Sequence, residues 1–89
     1  MLRAEATIVN KLGLHARPSA KITQLASKFA AEVWLSKGAR RINAKSIMGV
    51  MMLAAARGST LVIEADGPDE EAAVEELGAL IASGFGEEI

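Results

Sequence analysis

Residues 12–21, LGLHARPSAK, hold the only histidine of an 89-residue chain. Gly13 precedes His15, Arg17 follows two positions on, and Pro18 comes next. Imidazole has an ordinary pKa of about 6.5, so its neutral, nucleophilic form is well populated near pH 7. The guanidinium of Arg17 is a permanent cation whose planar fork suits phosphate oxygens. If a helix opens at Ala16, His15 stands at or beside its N-cap. The first backbone N–H groups there have no intrahelical partner and carry the positive end of the helix dipole, which makes a ready anion site. Pro18 in the first turn loses no hydrogen bond and stiffens the start, while Gly13 permits a tight turn before it. A nitrogen nucleophile beside an anion cradle suits phosphoryl transfer, because the incoming group brings negative charge to donors already in place. The plainer reading of the same residues is a histidine that only caps a helix beside a solvated arginine.

The elements that must hold these residues follow from hydrophobic periodicity. AEATIVN (4–10) alternates loosely and is rich in β-branched residues, predicting a first strand with Ala6 and Ile8 inward. NKLG then turns. From Ala16 to about Phe29, apolar residues at Ile22, Leu25, Ala26 and Phe29 give an amphipathic helix. EVWLSKGARRIN (32–43) predicts a hairpin turning at Lys37-Gly38, with Val33, Leu35 and Ile42 inward and Trp34 outward. Ser46 is a plausible N-cap for a short helix from Ile47 to about Leu53, weakened by Gly49. GSTLVIEAD (58–66) predicts a strand with Leu61, Ile63 and Ala65 on one face. GPDEEAAVEELGALIASGFGEE (67–88) is expected to close the chain as a helix. Asp69, Glu70 and Glu71 crowd its first turn, where negative charge is favourable, and Ala73, Leu77, Leu80 and Ile81 form its buried stripe. The order βαββαβα predicts an α+β fold: a two-layer open-faced sandwich, with a four-stranded antiparallel sheet and its helices on one face.

Length bounds the chain to one domain, 1–89, with one small core. The absence of cysteine excludes a disulfide scaffold, a thiolate metal site and a cysteine nucleophile. Neither a membrane span nor a signal-peptide apolar region is expected, and a cytoplasmic location is the default. Charge is polarised along the chain. Residues 1–45 carry nine Lys/Arg against Glu5 and Glu32, net +7; residues 46–89 carry Arg57 against nine acids, net −8; the total is −1. Either a basic face that attracts phosphate, nucleic acid or an acidic protein, or two solvated faces of opposite sign, satisfies this pattern.

GLHARPSA resembles the active-site signature of the HPr family, the histidine-containing phosphocarriers of the bacterial phosphoenolpyruvate-dependent sugar phosphotransferase system. The length, the element order and a second block, NAKSIMGVMMLAA, are similar to that family too, so the likeness spans essentially the whole chain. The resemblance implies a phosphocarrier rather than an enzyme. His15 would take a phosphoryl group from enzyme I on its δ1 nitrogen, Arg17 would steady it, and IIA components of sugar permeases would receive it, with no metal or cofactor of the carrier's own. Ser46 matches the family's regulatory serine, the target of HPr kinase/phosphorylase. Met52 departs from the serine of many regulated members, which bears on a gene-regulatory role rather than on phosphorylation.

Ile47, Met48, Met51 and Met52 are too many apolar groups for one short helix to bury. Val50 and Leu53 are assigned to the core; Ile47, Met48 and Met51 are expected to form an exposed docking patch with Ala16, Ala20, Lys21 and Lys45, its cations steering acidic partners. A monomer is expected. Three alternatives stand beside this reading. A nitrogen-related phosphotransferase paralogue shares the histidine chemistry. A small RNA-binding α+β module would use the basic half, but three aromatics in the chain offer no stacking pair on a strand. A self-sufficient hydrolase lacks a second histidine to serve as base.

Overall fold

The computed structural model describes residues 1–87. In chain order it contains β1 (Leu2–Thr7), α1 (Ala16–Ala26), β2 (Glu32–Lys37), β3 (Arg40–Asn43), α2 (Ile47–Met52), β4 (Thr60–Asp66) and α3 (Glu70–Ala82), followed by a single 3₁₀ turn at Gly84–Gly86. The four strands form one antiparallel sheet in the order β1-β4-β2-β3. β4 is inserted between β1 and β2, so the connection through α1 crosses over it, and the expected open-faced α+β sandwich is the fold observed.

Alternation sorts the sheet into two surfaces. Val33, Leu35, Leu61, Ile63 and Ala65 are fully buried beneath the helices. Each large aliphatic among them contributes about 1.5–3 kcal/mol by leaving water. From the helical layer, Ile22 and Ala26 of α1, Val50 of α2 and Ala73, Leu77 and Ile81 of α3 complete this core, with Leu25, Phe29, Ile42 and Leu80 packed half-buried around it. The other surface of the sheet is open. Trp34 points there, as its alternation requires, with the Arg41 guanidinium 4.1 Å above its ring and Arg41 Nε 3.0 Å from Glu64.

Several boundaries differ from expectation, each for a local reason. β1 ends at Thr7 rather than at residue 10, because the ladder finishes with the Ile8 amide on Ser59 and the Gly58 amide on Ile8, after which the Asn10 carbonyl accepts from Gly13 in a turn. α1 stops at Ala26 rather than near Phe29; the Lys28 and Phe29 amides reach back three residues instead of four, tightening the end. The hairpin turns at Gly38-Ala39, since Lys37 pairs with Arg40. Asp69 stands at the N-cap of α3 without capping it; its carboxylate accepts from the Ala30 and Ala31 amides, both at 2.8 Å, and stitches the α1–β2 loop to α3. α3 itself ends at Ala82. Gly84, Phe85 and Gly86 all take left-handed backbone, with φ of 70°, 60° and 73°. Phe85 is nonetheless buried, so its packing offsets the roughly 1 kcal/mol or more of strain that such a conformation costs a non-glycine residue. The expected helical tail beyond Glu87 lies outside the described residues.

Candidate functional site

The loop from Ile8 to His15 delivers the imidazole. Gly13 adopts φ 69°, and a Cβ there would run into the Ala55 carbonyl, so only glycine lets this loop lie against the Ala55–Ala56 backbone. The Leu14 amide donates to that carbonyl at 2.9 Å, and the His15 amide donates to Gly13 at 3.0 Å. His15 is the N-cap of α1, with extended backbone (φ −85°, ψ −169°). Its side chain makes no capping bond. The Ser19 amide returns to the His15 carbonyl, Pro18 has no amide to satisfy, and the amides of Ala16 and Arg17 have no protein acceptor among the described residues. Two open donors therefore stand at the mouth of α1 beside an imidazole that is 37% exposed.

The ring is held from one side. Nε2 lies 3.1 Å from Glu87 Oε1. An N–H at Nε2 donates to the carboxylate, and that choice leaves Nδ1 with its lone pair. Oε1 also accepts from Asn10 Nδ2 at 3.2 Å. Burial works to raise the Glu87 carboxyl, but the hydrogen bonds from His15 and Asn10 and the attraction of His15 and Lys21 outweigh it, and the pKa falls below the ordinary value. Glu87 is accordingly a carboxylate at neutral pH, fit to orient the ring. His15, Arg17, Lys11, Leu12, Lys21, Gly86 and Glu87 line an open cleft of about 590 Å³. Three cations to one carboxylate favour an anion there.

The other residues singled out from the sequence fall into two groups. Ala16 and Arg17 are exposed at the mouth of α1, and Ala20 is half-buried one turn further on. On α2, Ile47, Met48 and Met51 are exposed, with Met48 at 70%; Met52, left out of the expected patch, is 58% exposed as well. Ser46 is the N-cap of α2, its Oγ accepting from the Gly49 amide at 3.2 Å. The two lysines expected to steer partners also anchor the fold: Lys21 Nζ donates to the Phe85 carbonyl and Lys45 Nζ to the Phe29 carbonyl. The basic half does not form one continuous face. Arg41 turns to the open side of the sheet, while Lys37 and Arg40 donate to the Ala54 and Met52 carbonyls at the C-terminal end of α2.

Glu87, Asn10, Lys11 and Leu12 were not expected at the site. Leu12 is 72% exposed on the rim of the cleft. The signal for Glu87 was present in the SGFG segment, since glycine after the last periodic residue marks a helix end and a reversal. Among the described residues, no group of three or more His, Cys, Asp or Glu side chains is placed to hold a metal.

An open-faced sandwich that presents one oriented imidazole at a helix mouth, with open amides and cations around it, defines a carrier of an anionic group. The family model described as the PTS HPr component phosphorylation site matches residues 2–83, and this chain belongs to the HPr family of phosphocarriers. It is 61% identical over 87 residues to phosphocarrier protein HPr of Cupriavidus necator, with 98% of each chain covered. It is 55% identical over the same length, again with 98% of each covered, to HPr of Neisseria meningitidis serogroup B. The crystal structure of HPr-C-His from Thermoanaerobacter tengcongensis superposes with a TM-score of 0.95 at 47% identity, covering all of both chains. More distant relatives are phosphocarrier protein NPr of Shewanella violacea, 40% identical, and HPr-like protein Crh of Halalkalibacterium halodurans, 42% identical.

Proposed function

We propose that His15 Nδ1 accepts a phosphoryl group from phosphorylated enzyme I and delivers it to IIA components of sugar permeases. The observation that carries this is the hydrogen bond from Nε2 to Glu87, which leaves the other ring nitrogen as the nucleophile in a cleft with Arg17. The Nδ1 lone pair forms a bond to phosphorus as the bond to the donor breaks, and the reverse exchange releases the group to the next acceptor. Arg17 and the amides of Ala16 and Arg17 take up the charge of the bound phosphoryl. Ala16 and Ala20, with Lys21, Lys45, Ile47, Met48 and Met51, form the docking surface; methionine side chains adapt to differently shaped partners. Ser46, exposed at its cap, is the site for HPr kinase/phosphorylase, and phosphate there would repel an acidic partner. The carrier works as a cytoplasmic monomer of one domain without a cofactor; sedimentation returning a dimer would reject the monomer. No helix among the described residues is long and apolar enough to cross a membrane.

Incubation with enzyme I and phosphoenolpyruvate adds one acid-labile phosphate, read as intact mass, and His15→Ala abolishes it. A labile phosphate on the His15→Ala chain overturns the assignment. With ATP and the kinase, an acid-stable phosphate appears and is lost in Ser46→Ala; its persistence rejects that site. The nitrogen-related role is the second reading. Identity of 61% to an HPr against 40% to an NPr favours the sugar branch, and competition between the two types of enzyme I decides.

A further inference from the structure

Asn10 is completely buried. Its amide is half satisfied. Nδ2 donates to the Gly13 carbonyl at 2.9 Å and to Glu87 Oε1 at 3.2 Å, while Oδ1 is buried with no partner. Reversing the amide would set Oδ1 against two acceptors, so the geometry fixes its orientation. A buried acceptor without a partner is costly, and stability alone would favour an apolar side chain. The donating half gives the residue its purpose. Its two acceptors are the same two that hold His15: the Gly13 carbonyl takes the His15 amide at 3.0 Å, and Glu87 Oε1 takes Nε2 at 3.1 Å. One buried NH₂ group thus ties together the atoms that fix both the backbone and the ring of a residue five positions away.

The geometry points to Asn10 as a positioning residue for His15: its amide holds the Glu87 carboxylate on Nε2 and so keeps the imidazole in the tautomer with Nδ1 open. The Lys21 bond to Phe85 fixes the backbone just before Glu87 but leaves the Glu87 side chain free to rotate. The Asn10 contact removes that freedom. The consequence for transfer rests on the carrier reading above; the consequence for the tautomer does not.

The test is ¹⁵N NMR of the labelled imidazole in its neutral form, which distinguishes the tautomers, alongside phosphoryl transfer from enzyme I. In the wild-type chain the Nε2–H tautomer dominates. Asn10→Ala shifts the ratio toward Nδ1–H by about threefold or more, the weight of one net hydrogen bond, and slows transfer by a similar factor. In a Glu87→Ala background Asn10→Ala leaves the ratio unchanged, because the carboxylate it acts through is gone. An unaltered ratio in folded Asn10→Ala, with or without slower transfer, overturns the proposal, as does an undiminished shift in the Glu87→Ala background. If Asn10→Ala does not fold, the isosteric Asn10→Asp replaces it: a second carboxylate drives Glu87 off the ring and shifts the ratio, and a wild-type ratio overturns the proposal. If the wild-type chain takes no phosphoryl group on His15, the carrier reading falls while the tautomer ratio still decides Asn10.

Discussion

Replacing Gly13 with alanine should damage stability and the site together. The added Cβ would collide with the Ala55 carbonyl and lie 3.0 Å from the Ala56 Cα, both backbone atoms that cannot swing aside. Alanine at φ 69° costs about 1–2 kcal/mol on its own. Forcing apart a packed contact adds about 1–3 kcal/mol. The shift also strains the Leu14 bond to Ala55, worth about 1 kcal/mol. Together these destabilise by about 3–6 kcal/mol, a large share of the roughly 4–13 kcal/mol expected for a chain of this size. The assay is urea denaturation followed by circular dichroism, with phosphoryl transfer measured on whatever fraction remains folded. The midpoint should fall steeply with little change in slope. Transfer per folded molecule should fall too, because the Gly13 carbonyl anchors the His15 amide. A loss under about 1 kcal/mol would show that the loop relaxes without cost and would refute the argument that its path admits only glycine.

Arg17→Ala, at an exposed position, should leave the unfolding midpoint within about 0.5 kcal/mol of wild type. Stopped-flow transfer from enzyme I should slow about tenfold or more as a charged donor to the phosphoryl group is lost. Met48→Ala should be similarly neutral for stability but weaken docking, seen as a raised KM for the carrier; an unchanged KM removes Met48 from the docking surface. Asp69 has a pKa below its ordinary value, owing first to the hydrogen bond from the Ala30 amide, working against burial and helped by the Ala31 amide. A lowered folded value means that its stabilisation is complete above the unfolded value of about 3.9 and is lost as pH falls through the folded one. Asp69→Asn should therefore flatten the loss of stability in acid, and urea midpoints at pH 7 and below pH 4 check it.

The strands and helices were legible because each buries a face, and burial writes its period into the sequence. Val33, Leu35, Leu61 and Ile63 alternate as the sheet demands, and Ile22 and Ala26 repeat at helical spacing. His15, Arg17 and Ser46 were legible because a cap and a first turn are local. The supporting half of the site was not. Glu87 reaches His15 only because Gly84, Phe85 and Gly86 reverse the chain, and an acidic tail after a helix looks like more helix. Asn10 has the look of an ordinary turn residue; its burial comes from packing between segments 77 residues apart. Nor were the anchoring bonds of Lys21 and Lys45 legible, since a net sum along the chain cannot tell a solvated ammonium from one that also holds a carbonyl.

Trp34, the chain's lone tryptophan, lies under a guanidinium on the side of the sheet away from the helices. A fluorophore seated there is a built-in gauge of whether the strands are assembled, and it is insulated from events in the cleft. Emission from the native protein should stay constant while the carrier loads and unloads, so intrinsic fluorescence can follow unfolding of either form without correction for its cargo.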